Sequence, residues 1–304
     1  MIGRHEITDV AWARIAPLLP QDPPRGGRWS DHRMVLNGIL FRERTGVPWM
    51  DLPERYGPWQ TVYNRFRRWS LDGTWDRILD HVVVKDDAVG AVDWEASIDS
   101  SIVRAHQHAA GAARRPEGSK GDRPINGHTP DTAQQAEALG RSRGGLTSKI
   151  HAAVDGKGRP LSLWLTAGQV NDSTQFLQVM DGIRVRRDGP GRPRTRTRPE
   201  HVLADKGYST KAIRDELRRR GISHTIPERA DQKANRQRRG RAGGRPPVFD
   251  TERYKHRNVV ERFFNRLKQG RALATRYTKR AHYYRNELTI AAIFIWLKDP
   301  REAA

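Results

Sequence analysis

Four side chains that could take part in chemistry lie within residues 251–270, a stretch whose pattern predicts a helix. They are a phenol, two cations and a carboxylate, at Tyr254, Arg257, Lys268 and Glu261. Because an α-helix turns about 100° per residue, all four would lie on a stripe about 60° wide. Such a stripe could face a cleft in which the carboxylate binds a metal ion beside a phosphate.

The other side of this predicted helix is suited to a protein core, since its apolar residues are Val259, Val260, Phe263, Phe264 and Leu267. Asp250 or Thr251 could cap its start, and Gly270 could end it. An ordinary amphipathic helix would show the same pattern. Over residues 253–285, however, Glu261 is the single acid among eleven Lys and Arg residues. This isolation favours a functional carboxylate.

Two further acids lie on predicted strands. Asp99 is within an alternating, β-branched segment, where a carboxylate needs compensation for lost hydration. Asp205 ends a short apolar strand, and ligands bind at such strand ends in open α/β sheets; a structural turn residue is the alternative. With Glu261, these acids would supply the oxygen ligands that Mg²⁺ prefers. Two ions about 4 Å apart could activate a water or hydroxyl and stabilise the leaving 3′ oxygen of a phosphodiester.

The net charge of the 304-residue chain is +21 and is unevenly distributed. Residues 1–103 carry 13 basic and 15 acidic residues, so the remainder carries a net charge of +23. The segments 184–198 and 229–249 each contain seven basic residues and one acid. A GC-rich genome would favour Arg over Lys, but it would not concentrate the excess in one part of the chain. The distribution indicates contact with nucleic acid.

The composition also restricts the setting of the protein. The chain contains no cysteine, which excludes disulfides and thiolate zinc sites. Its longest apolar run, residues 290–297, is far shorter than the roughly 20 residues that cross a bilayer. The first residues lack the apolar run of a signal peptide. We therefore expect a cytoplasmic, nucleoid-associated protein without membrane contact.

Residues 1–88 are predicted to form a small all-helical domain. Apolar residues recur at helical spacing, and an aromatic helix carries Arg65, Arg67 and Arg68. Two helices, a turn-rich connector and this aromatic helix fit a helix-turn-helix-like DNA-binding domain in which the three arginines contact DNA. The alternative is a helical bundle in which Trp69 and its neighbouring tryptophans only form the core.

Residues 89–304 show the pattern of a mixed α/β sheet. The predicted order is three strands, a helix, a strand, a helix, a strand and a helix. Three segments of this part are basic or polar and rich in Gly and Pro. We predict that they are partly disordered loops, at residues 107–145, 184–198 and 229–249. We expect the last two to be mobile alone and ordered on DNA.

Taken in order, these segments resemble a known family. The middle of the chain contains SIDSSIVRAH, LGRSRGGLTSKIHAAVDGKGRPL and VLADKGY, which are similar to motifs of bacterial DDE transposases of the insertion sequence 5 family. That family's carboxyl-terminal signature is Tyr, two residues, Arg, three residues, Glu, six residues and Lys, and it is satisfied by Tyr254, Arg257, Glu261 and Lys268. The N-terminal part resembles the family's helical module, so the resemblance runs nearly end to end.

The resemblance implies an RNase H-like catalytic domain with Asp99, Asp205 and Glu261 as catalytic residues and metal ligands. The cofactor would be Mg²⁺, with two ions in the site and Mn²⁺ as a possible substitute. The implied reaction is hydrolysis at the ends of a mobile element, followed by attack of the freed 3′-hydroxyl on target DNA. The family's first motif often reads Asp-Ser-Thr, whereas residues 99–101 read Asp-Ser-Ser, a conservative difference.

The same resemblance implies how DNA is held. Lys268 and Arg257 would bind phosphates near the cut, and Tyr254 would position DNA or stack on it. Because two element ends must be brought together, the protein would act as a homodimer or a larger assembly on DNA.

Two other functions would use the same basic surface. A non-catalytic DNA-binding regulator derived from a transposase would keep its activity when the acids are replaced. A nuclease of the same fold would cut DNA but never join ends. Alternate histidines without cysteines are weak evidence for a metal site at His106, His108 and His151, so these histidines are expected at the surface or against DNA.

Overall fold

The computed structural model describes residues 6–22, 27–110, 137–142, 144–187 and 194–298. The helices are α1 (Asp9–Ile15), α2 (His32–Thr45), α3 (Trp59–Leu71), α4 (Thr74–Ala88), α5 (Gln107–Ala110), α6 (Phe176–Asp181), α7 (Lys211–Arg219), α8 (Ala230–Arg238), α9 (Thr251–Lys255), α10 (Asn258–Lys268), α11 (Arg271–Ala274) and α12 (Ala281–Leu297). The strands are β1 (Glu95–Ala105), β2 (Gly140–Ser142), β3 (Gly145–Val154), β4 (Pro160–Ala167), β5 (Val185–Arg187), β6 (Arg194–Arg196), β7 (His201–Ala204), β8 (Ser223–Thr225) and β9 (Thr275–Arg276).

A mixed sheet forms the centre of the fold. β1 lies in the middle, with β3 antiparallel on one side and β7 parallel on the other. β4 extends the antiparallel side and β8 the parallel side, while the short strands β2 and β9 pair with β3 and β1. The order β4-β3-β1-β7-β8, antiparallel and then parallel, is the RNase H-like arrangement. It confirms the predicted α/β class.

The sheet has a hydrophobic core on each face because successive side chains of a strand point to opposite sides. On one face, Ile98 and Val202 join the core formed by the N-terminal helices. On the other face, Ile150 and Val154 pack with the apolar residues of α10. Asp99 follows Ile98 and therefore belongs to the face covered by α10.

The N-terminal helices pack around buried tryptophans. α2 begins where Asp31 accepts a backbone N–H at 2.6 Å and ends at Gly46, whose φ of 72° suits glycine. Trp69 and Trp75 are buried, with ring centroids 5.1 Å apart. The connection over residues 46–58 contains two 3₁₀ turns, so it is longer than the roughly 3–4-residue turn of a helix-turn-helix motif. The helical unit is confirmed, and its DNA-binding role stays a prediction.

This helical unit shares its core with the sheet domain. α12 packs against α4, and one hydrophobic cluster includes residues from α1 to α12. Buried Arg42 of α2 pairs with Glu287 of α12, and Arg285 pairs with Asp76 of α4 at 3.1 Å. Within the ranges given above, no helix is long and apolar enough to cross a membrane. Since one hydrophobic cluster includes residues on both sides of residue 88, the two parts share a core, and the domain boundary at residues 88 and 89 stays a prediction.

The predicted loops contain more regular structure than expected. The segment 107–145 includes α5 and β2, 184–198 includes the β5–β6 hairpin, and 229–249 includes α8. These segments lack apolar periodicity, which predicts loops, but single buried residues such as Ala109 and Val185, together with polar contacts, hold the elements in place. Parts of the first two segments, at residues 111–136, 143 and 188–193, lie outside the described residues.

Candidate active site

The three predicted catalytic acids are carried by three elements. Asp99 lies within β1, Asp205 directly follows β7, and Glu261 lies in the first turn of α10. In the parallel β1–β7 pair, Ile98 is opposite Ala204, so both aspartates immediately follow paired residues. The sheet therefore brings Asp99 and Asp205 side by side, as the strand pattern indicates.

The guanidinium of Arg257 lies between two of these acids. It donates to Oδ2 of Asp99 and, over 2.7 Å, to Oε1 of Glu261. The side chain of Asp99 is 20% exposed, whereas that of Glu261 is 53% exposed. Burial raises the pKa of the Asp99 carboxyl above its ordinary value, against the opposing effect of the Arg257 cation. The cation thus offsets only part of the effect of burial on Asp99.

Asp205 begins the 3₁₀ turn Lys206–Tyr208, where its Oδ1 accepts the N–H of Gly207 at 2.7 Å. This is the turn role that the sequence left open, and it fixes the carboxylate beside β1. Tyr208 of the same turn is buried, and burial together with the carboxylates of Asp172 and Asp99 raises the pKa of its phenol. Asp99 and Asp205 therefore lie close to a buried phenol, whereas Glu261 is half exposed.

The donor set of the site fits a divalent cation in type, since Asp99, Asp205 and Glu261 offer carboxylate oxygens. Yet no three His, Cys, Asp or Glu side chains in the described part of the chain lie close enough together to hold a metal ion. The predicted three-ligand metal site is therefore not assembled in this structure, in which Arg257 joins Asp99 to Glu261.

Lys268 and Tyr254 lie beside the acids, as the signature spacing suggests. The Nζ of Lys268 donates to Oγ of Ser101 at 2.6 Å and to the carbonyl of Ile102 at 3.3 Å, so its charge lies along β1 close to Asp99. Burial raises the pKa of the Tyr254 phenol, as do the neighbouring acids, with Arg257 opposing them. The four signature residues thus remain grouped in the folded chain.

The single helix predicted over residues 251–270 is divided into α9 and α10, so that prediction is wrong at the junction. There, backbone N–H groups bond carbonyls three residues back instead of four. Arg253 and His256 both contact the carboxylate of Glu95, at 2.5 and 2.9 Å, and tie α9 to the start of β1. Asp250 caps α9, as proposed. No Gly or Pro marks the junction, so periodicity could not reveal it.

The three arginines of α3 have different environments. Arg65 is 4% exposed, with its guanidinium carbon 4.1 Å from the ring centroid of Trp29 and 5.2 Å from that of Trp69. These rings cover the guanidinium, so the structure contradicts a DNA contact by Arg65. Arg67 and Arg68 are exposed, and their DNA contacts stay a prediction.

The histidines also differ from one another. His151 is buried in β3, with Nε2 2.9 Å from Oγ1 of Thr166, and burial lowers its pKa to about 4. The prediction of a surface position is therefore wrong for His151, which stays neutral inside the sheet domain. His106 and His108 lie near the surface, with ring centroids 4.4 Å apart.

Sequence reasoning missed two polar residues that contact the turn after Asp205. Arg229 donates to the carbonyls of Lys206 and Gly207, at 3.0 and 2.7 Å. The Oε1 of Gln232 accepts a hydrogen bond from the hydroxyl of Ser209 at 2.7 Å, and its Nε2 donates one to the carbonyl of the same residue. A basic, low-hydrophobicity sequence gives no signal for such contacts, which form only when α8 folds against the sheet domain.

Two family models match this chain. Residues 91–296 match the family described as "Transposase DDE domain", and residues 7–79 match "Putative transposase of IS4/5 family". The chain is 31% identical over 153 residues to "Putative transposase for insertion sequence element IS6501" of Brucella ovis, covering 50% of this chain and 100% of that protein. It is 35% identical over 156 residues to "Putative transposase for insertion sequence element IS402" of Burkholderia cepacia, covering 51% and 65%.

Among solved structures, "Crystal structure of a pre-cleavage Mos1 transpososome" aligns with 91% of this chain and 83% of that chain, at 11% identity and a TM-score of 0.25. The family assignment rests on the sequence matches. The match to the transposase DDE domain spans more than half of the chain, and the match to the IS4/5 family covers the residues before it. This protein therefore belongs to the DDE transposases of the bacterial IS4/5 group.

Proposed function

We propose that this transposase binds the terminal inverted repeats of an insertion sequence, cleaves a DNA strand there and transfers the freed 3′-hydroxyl into target DNA. The observation that supports this most directly is the side-by-side placement of Asp99 and Asp205 on parallel strands, with Glu261 linked to Asp99 through Arg257. Membership of the DDE transposases supports the same chemistry.

Asp99, Asp205 and Glu261 would hold the divalent ions, Mg²⁺ or Mn²⁺. Two such ions would supply activation of the attacking water or hydroxyl and stabilisation of the leaving 3′ oxygen. For this, Arg257 has to release at least one of the two carboxylates that it contacts. The planar guanidinium then has donors available for a phosphate, which it can bind through two parallel hydrogen bonds.

Other residues of the chain would hold the DNA. Lys268 lies next to Ser101 on β1, where it can neutralise a phosphate close to the acids. Tyr254, half-buried at the same site, would stack on DNA or limit its position. Arg67 and Arg68, exposed on α3, would contact a more distant part of the duplex.

The assembly and setting follow from the proposed reaction. Joining two element ends to one target needs two active sites in one complex, so we propose at least a homodimer on DNA. Because the substrate is the chromosome, the setting would be the cytoplasm, in association with the nucleoid.

The test is an assay of cleavage and joining with the full-length chain, Mg²⁺ and DNA that carries the inverted repeats flanking the gene. We expect Asp99→Asn, Asp205→Asn and Glu261→Gln each to lower the rate of cleavage by more than about 100-fold. Replacing a residue that only orients a metal ligand lowers activity by up to about 100-fold, and replacing the ligand itself should lower it at least as much. DNA binding, measured by gel shift, should persist. Glu252→Gln is the matched control, since Glu252 lies on adjacent α9 with its side chain 80% exposed.

The outcome separates the alternatives. Full biological activity of all three variants would identify a non-catalytic DNA-binding regulator. Cleavage without any joined product, in wild type, would identify a nuclease of the same fold.

A further inference from the structure

The turn that carries Asp205 into the site is held from outside by α8. Arg229, at the start of α8, bonds two successive carbonyls of this turn, those of Lys206 and Gly207. Gly207 in turn donates its N–H to Asp205. A continuous chain of hydrogen bonds therefore leads from the guanidinium, through the turn backbone, to the carboxylate.

Gln232 holds the other end of the same turn. Its amide bonds both the hydroxyl and the carbonyl of Ser209, and its Oε1 also accepts the backbone N–H of Arg229 at 3.1 Å. The Ser209 hydroxyl accepts a further bond from buried Arg214 of α7, at 3.0 Å. These polar contacts with α7 and α8 add to the core packing of Tyr208 in holding the turn.

We propose that Arg229 and Gln232 are positioning residues for Asp205, and that α8 links DNA contact to the placement of this carboxylate. The inference rests on the proposed function, since it assigns Asp205 a catalytic role. Rotation of the Lys206–Gly207 peptide would remove the N–H that Asp205 accepts. Arg229 prevents that rotation because its planar fork reaches both carbonyls, which the single ammonium of a lysine cannot do in the same way.

The link to DNA comes from the solvent-exposed surface of α8. No residue of α8 is buried, so the helix is held by polar contacts and is expected to open at low cost when the protein is alone. Its C-terminal end and the following turn expose three cations, at Arg238, Arg239 and Arg241. A phosphate backbone bound there would stabilise α8 and, through Arg229, the turn that holds Asp205.

The test compares Arg229→Ala and Arg229→Lys with Lys233→Ala, which removes the same charge from the same helix without touching the turn. Hydrogen–deuterium exchange of peptides covering residues 201–210 is measured without metal, with and without DNA. We expect DNA to slow exchange of the turn in wild type and in Lys233→Ala. In Arg229→Ala the turn should exchange faster and show little protection by DNA, with Arg229→Lys intermediate.

The second measurement is the Mg²⁺ concentration that gives half-maximal cleavage. It should rise by about 10-fold or more in Arg229→Ala, as expected when a partner that orients a ligand is lost. Lys233→Ala leaves the contacts of the turn intact, so its Mg²⁺ dependence should match that of the wild type. Gln232→Ala provides an independent variant if Arg229→Ala does not fold, and it should shift both measurements in the same direction.

Equal turn exchange and equal Mg²⁺ dependence in the Arg229 and Lys233 variants would overturn the inference while leaving the proposed function intact. A wild-type protein that does not cleave would contradict the proposed function instead. The exchange measurement would still show whether Arg229 holds the turn, because it needs neither metal nor activity.

Discussion

Two cationic side chains make most of the polar contacts described in the candidate site, one to the acids and one to β1. Arg257 joins Asp99 to Glu261, and Lys268 is held against β1 by the hydroxyl of Ser101. Each of these cations is already placed next to the acids before DNA arrives. The site therefore needs little rearrangement of its positive charges to accept a phosphate, beyond the release of one carboxylate by Arg257.

Lys268→Ala should weaken binding of an element end and lower the slope of log Kd against log salt concentration by about one, because one phosphate contact is lost. Gel-shift titrations at several salt concentrations measure this. Lys211→Ala is the control, since Lys211 lies on α7 with its side chain 92% exposed and distant in sequence from the signature. Identical salt slopes for Lys268→Ala and wild type would remove Lys268 from the DNA contacts.

The acids of this site could be predicted from the sequence, whereas their partners could not. Asp99 and Asp205 were recognisable because each interrupts or ends an apolar strand pattern, and Glu261 because it is isolated among cations. Arg257 reaches Asp99 across 158 positions of the chain, and no local pattern reports such a contact. The covering of Arg65 by Trp29 was hidden for the same reason.

The β5–β6 hairpin of the basic segment 184–198 is held by a few specific side-chain contacts. Arg187 of β5 binds Asp87 of α4 through two bonds, at 2.5 and 2.9 Å, and the indole of Trp94 donates to the same carboxylate at 2.9 Å. Arg196 of β6 stacks on Trp94, with its guanidinium carbon 3.8 Å from the ring centroid. Both strands of the hairpin are thus fixed to Trp94 and Asp87, just before the start of β1.

Asp87→Asn should loosen the β5–β6 hairpin, because Asp87 is 3% exposed at its side chain and accepts bonds from two partners. We expect faster hydrogen exchange and faster trypsin cleavage within residues 184–198, and a loss of stability on the order of 1–3 kcal/mol. Glu200→Gln tests an exposed anchor of the same hairpin, since Glu200 pairs with Arg196 but is 74% exposed. Its effect should be under about 1 kcal/mol.

Equal exchange in the two variants would mean that the hairpin does not depend on Asp87. DNA should slow trypsin cleavage of this segment in wild type, and unchanged cleavage would contradict its proposed role as a DNA contact.

The arrangement of the whole molecule depends on the packing of the N-terminal helices against α11 and α12. The sequence could indicate helices and strands and their order along the chain, because periodicities of 3.6 and 2 are local, but not the order of strands within the sheet. It could not indicate that one core joins the two parts, since Arg42 and Glu287 are far apart in the chain. Glu43 lies at this junction, with Oε2 buried and without a hydrogen-bond partner among the described residues.

Burial and the nearby carboxylate of Glu287 raise the pKa of Glu43 from 4.5 to about 8. Between these values the folded protein keeps a proton that the unfolded chain has lost. Stability contributed at this position should therefore fall as pH rises from 4.5 to about 8. The slope would reach at most about 1.4 kcal/mol per pH unit.

Glu43→Gln should flatten this slope and raise the free energy of unfolding at pH values near neutrality, because the amide carries no charge to bury. Urea denaturation of wild type and variant at several pH values between 5 and 8 measures the difference. The exposed Glu54→Gln serves as control. A variant that keeps the wild-type pH slope would show that Glu43 is ionised in the folded protein.

The shared core has a consequence for the mobile element itself. If α3 contacts the inverted repeat as predicted, its distance from the acids is set by the packing of α12 on α4 rather than by a flexible linker. The number of base pairs between the recognised sequence and the cleaved bond would then be a fixed length, measured out by the protein. Repeats with one or two base pairs inserted between these positions would be bound yet cut at the wrong phosphate or left intact.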